Sequence, residues 1–134
     1  MALTHNELCQ IAYSFLKRNG FKVCFHDRFI AVTSTGEQPD AMGFRNFASC
    51  LIEAKCSRAD LLADRKKRFR QQPELGMGDW RFFISEPGIV EVSDLPDGWG
   101  LLHVVNGRVR KVHGWPQGNC CWGNPEDKPF TGNK

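Results

Sequence analysis

No apolar run in the sequence approaches the ~20 residues needed to cross a bilayer, so no transmembrane segment and no membrane partner is expected. The first residues have no basic stretch followed by a hydrophobic core, so no signal peptide is expected either. Among the six cysteines (Cys9, Cys24, Cys50, Cys56, Cys120 and Cys121) no C-x-x-C pair occurs, which leaves a zinc ribbon or a thioredoxin-like site without support. Their even number does not by itself imply an oxidising compartment. Adjacent Cys120 and Cys121, with His113 nearby, could bind a metal, although structural or surface thiols are the plainer reading. A reduced, cytoplasmic protein is expected. Neither an internal repeat nor a domain boundary is visible.

What is present describes one α/β domain. A chain of 134 residues, 41% hydrophobic and 25% charged, is long enough for a substantial core and ordinary for a globular protein. The net charge of +3 says less than its distribution. Between Lys55 and Arg70 seven basic residues face two acids, a local +5 that leaves −2 for the rest. Such a concentration is expected where one face meets a polyanion.

Thr4-His5-Asn6-Glu7 has the form of a capping box, and Leu8, Ile11, Ala12, Phe15 and Leu16 continue as a helical stripe closed by Asn19-Gly20. Phe21 to Thr33 reads as two strands turned at His26-Asp27-Arg28, followed by loop chemistry from Ser34 to Pro39. A strand is expected to begin near Asp40 and another to run from Ser49 to Cys56. A second helix begins with Ser57 as N-cap, carries Leu61, Leu62, Arg65 and Phe69 along one stripe, pairs Asp64 with Arg68 at i, i+4, and ends at Pro73. Trp80 to Ser85 is an apolar strand, and Ile89 to Val92 a short one. Trp99–Val105 and Arg108–His113 flank Asn106-Gly107, the strongest local signal for a two-residue hairpin. That loop pairs Val104 with Val109 and Leu102 with Lys111 on one face, and His103 with Arg110 and Val105 with Arg108 on the other. An irregular tail follows from Gly114.

The chemistry concentrates in the strand before the basic helix. Side chains alternate along a strand, so Leu51, Glu53 and Lys55 share one face while Cys50, Ile52, Ala54 and Cys56 share the other. An acid and a base thus stand side by side, about 6–7 Å apart at Cα, on a strand that otherwise reads as interior. Burying such a pair is costly unless it is partnered or holds a metal. Two readings stand open: an exposed cross-strand ion pair on a sheet edge, with Asp40 a turn residue, or a functional site. Five cations in the six residues Arg65 to Arg70 suit the dipole at a helix C-terminus, but exceed what a dipole requires and point to phosphate contact.

Pro39-Asp40, twelve residues, then Glu53-Ala54-Lys55, set in the order helix, strands, helix, strand, resembles the PD-(D/E)XK nuclease superfamily with its restriction-endonuclease-like core. The likeness covers Leu3 through Ser85 and leaves the hairpin and tail outside. Ser57-Arg58-Ala59-Asp60 followed by Ala63-Asp64-Arg65-Lys66 resembles more narrowly the small MmcB-like bacterial and phage members. The resemblance implies that Asp40, Glu53 and the backbone carbonyl of Ala54 bind Mg²⁺ or Mn²⁺. It implies that Lys55 orients or helps deprotonate the attacking water and steadies the charged transition state. Glu7 matches, in position only, the first-helix acid that some members use near the metal, and as a capping partner it has a structural reading too. Arg58, Arg65, Lys66, Arg68 and Arg70 become candidates for phosphate contacts that position DNA without reading its sequence. A metal-dependent deoxyribonuclease in phage or bacterial DNA processing, repair or recombination is therefore expected, cutting one strand as a monomer or two as a homodimer. The competing expectations are a catalytically silent nuclease-fold module that binds DNA or a protein, and a cysteine-based metal module.

Overall fold

The computed structural model describes residues 2–26, 39–73 and 76–130, with the side chains of Val23, Phe25, His26, Arg68 and Phe69 outside that description. The second strand expected at Phe29–Val32 and the loop through Gln38 lie outside the described residues.

Helix α1, His5–Arg18, begins in the capping box read from the sequence. The Glu7 amide donates to Thr4 Oγ1 at 3.1 Å, and the Thr4 amide donates to Glu7 Oε1 at 2.8 Å. Asn19 closes the helix, its Nδ2 donating to the Phe15 carbonyl at 2.8 Å. The remaining elements are β1 (Val23–His26), β2 (Ala41–Arg45), β3 (Ala48–Ala54), α2 (Arg58–Asp64), α3 (Arg68–Gln71), β4 (Trp80–Ser85), β5 (Gly100–Val105) and β6 (Arg108–His113).

The six strands among the described residues form one mixed sheet in sequence order. β1, β2 and β3 meander antiparallel, β3 and β5 both lie parallel to β4, and β6 returns antiparallel on β5. Flanked by parallel partners, β4 is buried along its whole length, which suits its largely apolar sequence and requires its one charge, Arg81, to be accommodated within. The hairpin forms with the expected pairs, Val104 with Val109 and Leu102 with Lys111. Asn106 and Gly107 at its tip both take positive φ, as a tightly twisted two-residue turn demands.

The sheet separates two apolar layers. On one side Cys50, Ile52, Ala54, Phe82, Ile84, Leu102 and Val104 pack beneath Leu8, Cys9, Ala12, Phe15 and Leu16 of α1. On the other, Met42, Leu51, Phe83 and Leu101 pack with Leu61 of α2, Val90, Trp99 and Phe130.

The tail is irregular but not peripheral. Trp115 lies 5.0 Å from the Phe15 ring and 5.2 Å from Phe82, Trp122 stands edge-on to Phe21 and Trp80, and the Trp80 indole donates to the Trp122 carbonyl. Phe130 closes the opposite layer against Trp99 and against Arg81, whose guanidinium lies 3.8 Å from the ring. Arg81 is tolerated in the interior because its Nε and Nη1 donate to the Gly78 and Pro73 carbonyls.

Two expected elements differ. Ile89–Val92 is a turn leading into a short 3₁₀ helix, Val92–Asp94, so no strand forms there. The long helix to Pro73 breaks after Asp64: Lys66 and Lys67 bond back to Ala63 and Asp64 at turn spacing before α3 begins. Leu62, placed on the core stripe by periodicity, is exposed.

Gly100 is packed too closely for a side chain: a Cβ there would meet the Phe82 ring and come within 2.6 Å of the His113 carbonyl oxygen. Gly100→Ala is expected to destabilise the fold by about 1–3 kcal/mol, seen as a lower urea midpoint with unchanged slope. An unchanged midpoint would mean that β4, β5 and β6 yield there at no cost.

Candidate active site

Antiparallel pairing of Ala41 with Ile52 brings Asp40, one residue before β2, opposite Glu53. Two hydrogen bonds tie the strand ends together. The Asp40 amide donates to Glu53 Oε2 at 3.1 Å, and the Ala54 amide donates to Asp40 Oδ2 at 2.8 Å. Asp40 Oδ1 faces His5 Nε2 at 3.1 Å. The backbone of β3 therefore holds Asp40, Glu53 and Ala54 in one short span.

Glu53 and Lys55 occupy the face shared with Leu51, as alternation predicts, and are 2% and 6% exposed. The exposed edge-pair reading is overturned: β3 lies between β2 and β4, and the two side chains bond to different partners. Lys55 Nζ donates to Asp64 Oδ1 at 2.8 Å. Arg70 bridges both acids, Nη2 reaching Glu53 Oε1 at 2.7 Å and Nε reaching Asp64 Oδ2 at 2.7 Å, with its guanidinium 4.4 Å from the Trp99 ring. Lys67 lies 3.3 Å from Asp64 and 3.9 Å from Glu53, and is the solvent-facing member.

Asp64 is the residue that sequence reasoning missed. Helical spacing pairs it with Arg68, yet it is buried at the end of α2 and partnered by Lys55 and Arg70. Burial alone would push its carboxyl up, but Arg70 and Lys55 outweigh that and hold it below the ordinary aspartate range. A carboxyl lowered by folding stabilises the protein above its unfolded pKa of about 3.9, and that contribution disappears as pH falls through the lower folded value. The stability gap between wild type and Asp64→Asn, measured by urea unfolding, is therefore expected to be full at neutral pH and to narrow below about pH 4. A gap that widens on acidification would refute the assignment. Glu7 and Asp94 are also lowered, by bonds from Thr4 and Arg58 respectively; Glu7 is solvent-exposed and screened, whereas the Asp94 side chain is largely covered by its two arginine partners.

The basic residues separate into different roles. Arg70, expected on the phosphate-contacting surface, is instead an internal partner of Glu53 and Asp64, because the break after α2 turns α3 inward. Arg58 and Arg65 are half-exposed and converge on Asp94, at 2.5 and 3.4 Å. Lys66 is exposed, and the Arg68 side chain lies outside the described residues. Glu7 is engaged in the capping box. Among the described residues Cys120, Cys121 and His113 do not bring their ligand atoms together, whereas one ligand atom from each of His5, Cys9 and Asp40 lies within 4.8 Å of the others.

Asp40, Glu53 and the Ala54 carbonyl are hard oxygen donors on adjoining strand ends, the type that Mg²⁺ or Mn²⁺ accepts. In donor chemistry they suit such an ion, while each carboxylate oxygen already has a partner: Glu53 Oε1 accepts from Arg70 and Oε2 from the Asp40 amide, and Asp40 Oδ2 accepts from the Ala54 amide with Oδ1 facing His5. Arg70 already fills the cationic place beside Glu53 Oε1, so three carboxylates (Asp40, Glu53 and Asp64) are offset by Lys55, Lys67 and Arg70. A cleft of about 460 Å³ lies elsewhere, lined by Lys22, Arg45, Asn46 and Phe47 at the β2–β3 turn.

Neither a family model, nor a curated protein, nor a solved structure matches this chain. No helix among the described residues is long and apolar enough to cross a membrane.

Proposed function

We propose that the chain is a metal-dependent deoxyribonuclease of the PD-(D/E)XK kind, acting on DNA in the cytoplasm of a bacterial or phage-infected cell. The observation that carries this reading is the Asp40–Glu53–Ala54–Lys55 constellation: two acids on adjoining strand ends, the Asp40 amide donating to Glu53 and the Ala54 amide to Asp40, with a lysine two residues beyond Glu53 on the same face. The order α1, antiparallel β1–β3, α2 and parallel β4 also suits a restriction-endonuclease-like core. Buried ion pairs contribute little net stability, since well-packed apolar residues commonly do as well, and so a buried charge cluster of this size is better explained by chemistry.

In this reading Asp40, Glu53 and the Ala54 carbonyl would hold Mg²⁺ or Mn²⁺, which when bound polarises the phosphate and acidifies a bound water. Lys55 supplies fixed positive charge beside Glu53. Asp64 holds the Lys55 ammonium, and Arg70 bridges Asp64 and Glu53. Lys66, Arg65 and Arg58 lie on the exposed side of the same segment, where phosphate contacts would position DNA.

The test is cleavage of single-stranded, duplex and branched DNA with Mg²⁺ or Mn²⁺, beside an EDTA control and Glu53→Gln. Cutting is expected with metal and is expected to vanish in the variant and in EDTA. Cutting that survives both would overturn the assignment. The balance of Asp40, Glu53 and Asp64 by Lys55, Lys67 and Arg70 favours one second reading, a silent nuclease-fold module that binds DNA. Salt-sensitive binding with no cleavage of any substrate would select it.

A further inference from the structure

We propose that His5, Cys9 and Asp40 form a binding site for a borderline transition-metal ion, Zn²⁺ by its ligand chemistry, distinct from the hard-ion centre proposed above and sharing only Asp40 with it. His5 and Cys9 stand four residues apart on α1, so one helix face presents an imidazole and a thiol together. Asp40 enters from the start of β2. The Cys9 sulfur is 3.7 Å from His5 Nδ1 and 3.9 Å from Nε2, Nε2 is 3.1 Å from Asp40 Oδ1, and one ligand atom from each residue lies within 4.8 Å of the others. Around a tetrahedral zinc with ordinary bond lengths, neighbouring N, S and O ligands are about 3.3–3.6 Å apart. The three donors are thus close to the edges of a coordination tetrahedron, and shifts of about 1 Å or less would complete it.

The surroundings favour such a site. Asp40 is oriented by the Ala54 amide at its other oxygen, the kind of outer bond that fixes a ligating carboxylate. Cys9 is fully buried at the base, while the His5 side chain is 44% exposed and that of Asp40 20%, leaving a path for the ion and an open side for water. Nitrogen, sulfur and oxygen together suit zinc or cobalt and are a poor set for magnesium. Binding replaces the thiol proton of Cys9 with the metal and releases that proton to solvent.

The test uses Co²⁺ as a spectroscopic probe on full-length protein stripped with chelator. Titration is expected to give a thiolate-to-cobalt charge-transfer band saturating at one equivalent and displaced by Zn²⁺ but not by Mg²⁺. Cys9→Ser is expected to abolish the band, and His5→Ala, at an exposed position, to weaken binding by at least about tenfold. Cys56→Ser and Cys120→Ser are expected to leave it. Circular dichroism checks that the variants are folded, and His5→Ala keeps the test valid should the buried Cys9 variant unfold. No band, a band unchanged in His5→Ala, or one lost with Cys56 or Cys120 would overturn the proposal. Glu53→Gln separates the two centres: it is expected to end DNA cleavage while retaining the cobalt band.

Discussion

Lys55→Met is expected to lower metal-dependent DNA cleavage by at least about 100-fold while leaving DNA binding in place. Methionine preserves the unbranched stem that packs near Phe83, whose ring centre is 5.8 Å from the Lys55 nitrogen, and removes only the charge. The acid it leaves behind, Asp64, keeps Arg70 at 2.7 Å and Lys67 at 3.3 Å, so the fold retains compensation for the buried carboxylate. A lysine that merely balances Asp64 would show the reverse: a lower melting temperature with cleavage per folded molecule unchanged. Single-turnover cleavage on protein shown to be folded separates these outcomes. Loss of cleavage together with loss of DNA affinity would also count against a role confined to the chemical step.

Arg70→Ala is expected to be far more damaging to the fold. The guanidinium bonds to Glu53 and Asp64, each 2% exposed at the side chain, and lies against Trp99. Removing one partner of a buried ion pair leaves an uncompensated charge in the interior, at about 3–5 kcal/mol. For a chain of this size that corresponds to a fall in melting temperature on the order of 10 °C or more. Lys67 is near both acids but faces solvent, and its 3.9 Å approach to Glu53 is too long to replace the lost bond. Neutralising the whole cluster with Lys55→Met, Glu53→Gln, Asp64→Asn and Arg70→Met is expected to cost less than Arg70→Ala alone. A loss of less than about 1 kcal/mol for Arg70→Ala would show that the arginine acts at the surface.

Local rules made much of this legible from the sequence. The capping box sets the start of α1 because Thr4 and Glu7 satisfy each other's amides without help from elsewhere. Asn106-Gly107 sets the hairpin and its register because few residue pairs accept positive φ in succession. Strict alternation puts Leu51, Glu53 and Lys55 on one face of β3, a consequence of backbone geometry alone.

Tertiary structure decided what those residues touch. Helical periodicity carries the basic segment through to Pro73, yet the chain turns after Asp64 and brings Arg70 inward onto Glu53 and Asp64. Trp115, Trp122 and Phe130 carry no local pattern, and only the open ends of two apolar layers gave them their places. His5, Cys9 and Asp40 are likewise joined by packing, since α1 lies across the sheet at the point where β2 begins. The sequence by itself determined the elements with their faces and caps, because those depend on neighbours a few residues away. The partners of Glu53, Lys55 and Asp40 follow from long-range contacts, which no local spacing encodes.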